Sequence, residues 1–361
     1  MQRLIQMILD LIRRLFGRQP EVLPEPAPIP VVEDEEPTEP SEPVVEDVGS
    51  EVVAEEGVMP RPELAKGAKG DDVTELQELL NRNGESLTTD GDFGPGTDKA
   101  VRALQESYGI ESDGVVGAST WEVLDRPWFG QDVSYHGVPL PPTTEVSGST
   151  PVAKAWNTYG NLLAMLGGTL GISSSAACAV LAVESAGEGF WNGRMVIRFE
   201  THIFNRYWGR SNQAAFWSHF SQNPDKGWLE QKWRPDTGAW RELHTKAAGQ
   251  DEEWAVLEFA RGLNEMAALR SISMGAPQIM GFNYRKIGFE SPRAMFDAFS
   301  VDERAHVLGL FDFIRSDHRM VWGLRTGDWE AFARIYNGPG QAETYGTMIG
   351  NNATAAKELG I

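Results

Sequence analysis

Residues 174–184 read SSAACAVLAVE, a run of small and apolar side chains that closes on one carboxylate, Glu184, just before Ser185-Ala186-Gly187. Its length and composition predict a helix buried in the middle of a domain. A carboxyl delivered by the last turn of such a helix is poorly solvated and close to the negative helix end. Both effects raise its pKa. A carboxyl that keeps its proton near neutrality can serve as a general acid. A second carboxylate, Glu200, follows in Met195-Val196-Ile197-Arg198-Phe199-Glu200. The region therefore offers two acids in different environments, the pattern that acid-catalysed sugar cleavage uses.

Around this run, Trp156–Leu166, Glu252–Met266, Val301–Asp317 and Trp329–Tyr336 carry helical periodicity. No segment shows sustained strand alternation, so the fold class is mainly α. At 361 residues, 41% hydrophobic and with 12 Trp, the chain has material for two domains and their linkers. The expected boundaries are an amphipathic helix at 1–18, an acidic Pro-rich linker at 19–62, a small domain at 63–126, a second linker at 127–150 and a large domain at 151–361. The first stretch, MQRLIQMILDLIRRLFGR, is too short and too charged to span a bilayer and lacks the cleavage site of a signal peptide. It suits a membrane surface or a docking partner, with a frayed end as the bland alternative. From Pro20 to Pro62 the chain alternates Pro with Glu and Val and has no aromatic residue, so it reads as an extended, self-repelling tether.

The net charge of −20 is spread through the chain, and half of it precedes residue 64. No basic footprint for nucleic acid is present. Cys178 is the only cysteine, which rules out an internal disulfide, and its apolar setting predicts an inert buried thiol. HExxH, paired cysteines and a serine nucleophile elbow are absent, so neither a metal site nor a cofactor is expected.

The small domain repeats itself. Val73, Leu76, Leu79 and Leu80 form one helical stripe and Ala100, Val101 and Leu104 another, each followed by a DG-x-x-G-x-x-T turn, Asp90–Thr97 and Asp113–Thr120. Gly supplies positive φ there, and each Thr is expected to cap the next helix. The twelve-residue spacing and terminal Glu of a calcium loop are missing. LAKGAKGDDVTELQELLN (64–81), DGDFGPGTDKAVRALQESYGI (90–110) and DGVVGASTWEVL (113–124) resemble the small three-helix peptidoglycan-binding module of wall hydrolases. That resemblance implies anchoring to bacterial peptidoglycan.

In the large domain four segments carry a second resemblance: AVLAVES (179–185), RFETHIF (198–204), SISMGAPQIMGFNY (271–284) and YNGPG (336–340). Together they resemble the N-acetylmuramidase domain of modular phage endolysins, which has a lysozyme-like helical fold. The resemblance implies a peptidoglycan hydrolase that cleaves the β-1,4 bond between N-acetylmuramic acid and N-acetylglucosamine. It places Glu184 at the catalytic glutamate. Glu200 is a second catalytic candidate, as water activator or charge stabiliser, or else a partner of Arg198. Gln278, Asn283, Tyr284, Tyr336 and Asn337 are polar residues in Gly-punctuated turns, suited to binding acetamido and hydroxyl groups or to capping those turns. His202 either orients Glu200 or is a satisfied structural histidine.

The stretch Arg210–His244 resembles the family least. Its Trp217, Trp228, Trp233 and Trp240 would stack on sugars if exposed and form a satellite core if buried. A lytic transglycosylase and a non-catalytic wall-binding virion protein are the alternative functions. The expected setting is a monomer made in the host cytoplasm that acts on the wall in the periplasm, with virion association or membrane tethering through 1–18 as variants.

Overall fold

The computed structural model describes residues 61–185, 188–245 and 249–361. The amphipathic stretch 1–18 and all but the last two residues of the 19–62 linker lie outside the described residues.

The small domain is built from α1 (Asp71–Arg82), α2 (Pro95–Tyr108) and α3 (Ala118–Asp125). Val73, Leu76, Leu80, Val101, Leu104 and Trp121 close its core. The repeat seen in sequence is repeated in hydrogen bonds. Gln77, buried, donates to the Asp90 carboxylate, the Asp92 carbonyl and the Thr97 hydroxyl. Gln105 does the same for Asp113, Val115 and Thr120. Each glutamine also accepts from the glycine amide of its turn, Gly91 or Gly114, both at positive φ. The threonines do not cap the helices as expected. The caps are Gly94 and Gly117, with no side-chain bond, because Gln77 and Gln105 hold the threonine hydroxyls one turn further in.

The 127–150 stretch differs from the plain linker its Pro and Ser content predicts. Phe129 is 1% exposed and Tyr135 is also buried, both in the core of the large domain. The two oxygens of Asp312 accept from the amides of Phe129 and Gly130, at 2.7 and 2.9 Å. Arg304 donates to the carbonyls of Tyr135 and Val138. Aromatic burial and charged clasps thus hold this segment as a strap.

The large domain begins with α4 (Pro151–Leu170), whose Thr150 hydroxyl caps it at the Ala153 amide, and α5 (Ser174–Ser185). Two short strands follow, β1 (Phe190–Trp191) and β2 (Arg194–Met195), then β3 (Ile197–Phe199) and α6 (Thr201–Tyr207). An excursion carries α7 (Gln213–His219) and the antiparallel β4 (Phe220–Ser221), β5 (Lys232–Trp233) and β6 (Arg241–Glu242). Then come α8 (Gly249–Leu263), α9 (Glu265–Arg270), β7 (Ile272–Met274), β8 (Ile279–Met280), α10 (Pro292–Val301) and α11 (Glu303–Arg315). The chain closes with α12 (His318–Thr326), α13 (Trp329–Tyr336) and α14 (Ala342–Glu358).

Two cores result. One gathers α4, α5, α11 to α14 and the strap, with α5 apolar on every side because α4 and α14 pack against it. The other gathers the β3-β7-β8 sheet with α6 to α10. That sheet, together with the β1-β2 pair and the β4-β5-β6 sheet, interrupts an otherwise helical domain. Ile197 pairs with Met274 and Phe199 with Ile272, and burial alternates along β3, but three residues are too few for the alternation to register in sequence.

The two domains touch. His318, at the start of α12, is buried with Nδ1 2.8 Å from the Ser107 hydroxyl and Nε2 2.8 Å from Glu85, both in the small domain. Arg325 donates to the Ser107 carbonyl from the last turn of the same helix. No single described helix is long and apolar enough to cross a membrane; α4 and α5 together are, but they bend by 120° and form the buried centre.

Candidate active site

Glu184 ends α5 where the helical core meets the β3-β7-β8 lobe. The Asn337 side-chain amide donates to its Oε1 at 3.0 Å. Asn337 is placed by its own backbone, which closes α13 on the Ala333 carbonyl. Tyr336, one residue earlier, stacks on Phe332 and stands edge-on to Phe313. Its hydroxyl donates to the Pro277 carbonyl at 3.1 Å, so α13 and the Gly275–Gln278 turn are tied beside the acid. Burial, opposed only by the Asn337 bond, pushes the Glu184 carboxyl up to about 7. The phenols of Tyr336 and Tyr345 are raised by burial first and by the Glu184 charge second, so both remain protonated donors.

The Gly275–Gln278 turn is held from below by His306, whose ring stacks on Phe190. His306 Nδ1 accepts from the Ala276 amide and Nε2 lies 2.7 Å from the Phe299 carbonyl, so the ring is neutral with its proton on Nε2. Burial lowers its pKa to about 4. A Cβ on Gly275, which has φ +66°, would sit 2.7 Å from this ring. Gln278 is also left-handed, φ 51°, and its side chain bonds the Gly275 carbonyl and the Ser273 hydroxyl. It locks the turn. Asn283 and Tyr284 lie in the 3-10 turn Gly281–Ile287, where Tyr284 is buried in the second core beneath Arg270 and Arg285. Among the described contacts, neither touches Glu184.

Glu200 sits in the opposite electrostatic state. It precedes α6, and its backbone amide bonds the Ser271 carbonyl. Arg198 Nε donates to its Oε1 at 2.8 Å and Gln231 Nε2 to its Oε2 at 2.6 Å, with His202 Nδ1 at 3.3 Å. Burial alone would raise its pKa, but His202, Arg198, His244 and Gln231 outweigh it and hold the carboxyl at about 2.

Sequence reading missed Tyr345 and the glutamine pair Gln222 and Gln231. Tyr345 lies on α14 with no motif around it, and only the packing of α14 against α5 brings it to Glu184. Gln231 sits 31 residues from Glu200. The Trp cluster divides between the two expectations: Trp233 is buried in the second core, while Trp217, Trp228 and Trp240 are exposed. Cys178 is fully buried and its thiol is raised to about 12 by burial, as its apolar setting predicts.

The large domain thus has two lobes, with one carboxyl raised by burial and the other held low by its cationic and amide partners. The sequence model of the N-acetylmuramidase family matches residues 173–357, just over half of the chain, and this chain belongs to that family. A putative peptidoglycan binding domain matches residues 69–124. Among curated proteins, the spore cortex-lytic enzyme of Bacillus subtilis (strain 168) is 48% identical over 63 residues, 17% of this chain and 21% of that protein. The spore cortex-lytic enzyme of Bacillus cereus is 45% identical over 62 residues, 17% and 24% respectively. The zinc D-Ala-D-Ala carboxypeptidase of Streptomyces albus G is 38% identical over 64 residues, 17% and 25%. The chain thus spans about a quarter of the length of the curated relatives it matches. Among solved structures, the Burkholderia AP3 phage endolysin is similar at 26% identity and TM-score 0.42, covering 82% of this chain and 100% of that one.

Proposed function

We propose that the chain is a peptidoglycan hydrolase that cuts the β-1,4 bond between N-acetylmuramic acid and N-acetylglucosamine while its small domain holds it on the wall. The observation that carries this reading is the contrast between two carboxyls: Glu184 at the end of the apolar α5, taking a hydrogen bond from the neutral Asn337 amide, and Glu200 engaged by Arg198 and Gln231, an arrangement that raises the first and lowers the second. A glycosidic oxygen leaves poorly unless protonated. Glu184 gives its proton to that oxygen, the bond from the anomeric carbon to it breaks, and the leaving sugar departs as an alcohol. The Asn337 amide fixes the carboxyl for the transfer, and its N–H stabilises the carboxylate that the transfer leaves on Glu184. Water adds to the oxocarbenium-like carbon and returns a proton to Glu184, completing hydrolysis.

Glu200 stays an anion throughout. Its oxygens are engaged by Arg198 and Gln231, so it holds the segment around Gln231 instead of attacking the sugar. Tyr336, Asn337 and Tyr345 supply polar groups beside the acid. Gln278 contributes by setting the Pro277 turn, and Asn283 extends the polar surface of the following turn.

Glu184→Gln is expected to lower the clearing rate of a peptidoglycan suspension by roughly 10² to 10⁴. Clearing at the wild-type rate would remove Glu184 from the chemistry. Mass spectrometry of the digest should find reducing N-acetylmuramic acid ends; 1,6-anhydro ends would mean that the sugar's own hydroxyl, not water, completes the cut.

A further inference from the structure

Three tryptophans of the excursion are exposed, and they are not equivalent. Trp240 has the Arg234 guanidinium over its ring, 4.2 Å from the centroid, and Trp217 leans edge-on against Phe216. Trp228 is the most open at 54%, and among the described residues no aromatic or cationic group covers its ring. An indole left in water forfeits the burial that a side chain of its size would gain. A chain that merely tolerated this would leave the residue on a loose loop, but the loop here is tightly built.

Residues 222–231 are fastened at both ends to the residue that follows Glu200. The buried Thr201 hydroxyl lies 3.0 Å from Gln222 Oε1 and 2.8 Å from Gln231 Oε1, and its amide also donates to Gln231. Gln231 turns its amide nitrogen to Glu200 and to the Trp228 carbonyl, at 2.6 and 3.2 Å. Asn223 caps the loop through Asp225 and Lys226 amides, and the Asn223 amide bonds the Leu229 carbonyl. Gly227 passes so close to His202 that a Cβ there would stand 2.9 Å from the histidine Cβ. A bonded path therefore runs from the Trp228 carbonyl through Gln231 to Glu200, and on through the β3-β7 pairing to the Pro277 turn and Tyr336, next to Asn337 and Glu184.

We propose that Trp228 is a sugar-stacking platform, a subsite for the glycan strand beyond the cleaved bond, and that Glu200 is the positioning residue that holds its loop. This rests on the glycan-cleaving reading above. The chemistry favours a neutral, amphipathic ligand. A pyranose offers one face of C–H groups to an indole and hydroxyls to its rim, and the loop rim carries Asp225 and Glu230 as well as Lys226, a mixed-sign surface that does not attract an anionic lipid.

The test uses the full chain carrying Glu184→Gln, which binds without turnover, and soluble glycan strands stripped of their stem peptides. Adding Trp228→Ala should weaken binding about tenfold, the size of one good aromatic contact, and Trp228→Phe should restore most of it. In the active chain Trp228→Ala should raise KM by a similar factor with kcat within about twofold. Glu200→Gln should raise KM in the same direction, keep kcat within about threefold, and add little to Trp228→Ala because both act on one loop.

Unchanged glycan affinity in Trp228→Ala, with Glu184→Gln still binding the strands, overturns the platform and leaves the hydrolase reading standing. Failure of the Glu184→Gln chain to bind glycan at all overturns both. If Trp228→Ala instead abolishes binding to phosphatidylglycerol vesicles and leaves glycan affinity intact, the loop is a membrane element and the proposal falls. A hundredfold loss of kcat in Glu200→Gln at constant KM overturns the positioning role.

Discussion

At the scale of the residue, the chemistry turns on how far burial moves one proton. The acid form of Glu184 is lost as pH rises through about 7, so the rate should fall along an alkaline limb centred near that value. Asn337 lowers the Glu184 pKa by donating to it, so removing the donor moves the limb the other way. In Asn337→Ala, a pH profile of clearing should show the alkaline limb at higher pH and a reduced maximum. The same shift has a stability consequence. A folded pKa raised above 4.5 contributes stability that is complete in acid and is lost as pH rises through about 7. Glu184→Gln removes that dependence. Its melting temperature should exceed wild type by a few degrees at pH 8 and match it near pH 4, read by calorimetry.

At the scale of the element, the site depends on how closely backbones approach one another. Gly281 begins the turn after β8, where a Cβ would fall 1.9 Å from the Leu269 carbonyl, a backbone atom that cannot swing aside. Gly281→Ala should destabilise the large domain by about 2–3 kcal/mol, measured by denaturant unfolding, and a neutral outcome would mean that α9 can slide. His306 sets a pH limit on the neighbouring Gly275–Gln278 turn. Its folded pKa is depressed from 6.5 to about 4, so its contribution is present above 6.5 and is lost as pH falls through about 4. Acid unfolding should therefore begin near the Pro277 turn, where hydrogen exchange of the Ala276 amide reports the loss of its bond to Nδ1.

At the scale of the molecule, the strap and the α12 contact join the small and large domains into one body. His318 is buried between Ser107 and Glu85, a polar group whose two nitrogens are both engaged across the boundary. Calorimetry of the wild type should show one cooperative transition. His318→Ala leaves the buried Ser107 hydroxyl without this partner, removes the tie to Glu85 and should split that transition in two. Asp312→Ala strands the amides of Phe129 and Gly130, about 1–3 kcal/mol for each, and should expose residues 127–138 to limited proteolysis. On the proposed function, a rigid link of this kind would fix the direction in which an anchored small domain presents Glu184 to the glycan.

What was legible in the sequence is what short-range chemistry encodes. SSAACAVLAVE announces a helix buried on all sides because its composition leaves no polar face, and the paired DG turns announce a repeated module because glycine alone accepts their φ without strain. Glu184 was legible for the same reason, as a carboxylate at the end of an apolar run. The β3-β7-β8 sheet was not, since strands of two or three residues are defined by partners some 75 residues away. Nor was the order of residues 127–140, where turn composition conceals Phe129 and Tyr135, two anchors that have meaning only against α11. The sequence by itself determined the two modules, the central helix and the acid at its end. Tertiary structure alone decided that Asn337 meets Glu184 and that Arg198, Gln231 and the Trp228 loop gather on Glu200, because dielectric environment and long-range contacts are properties of packing and not of neighbouring letters.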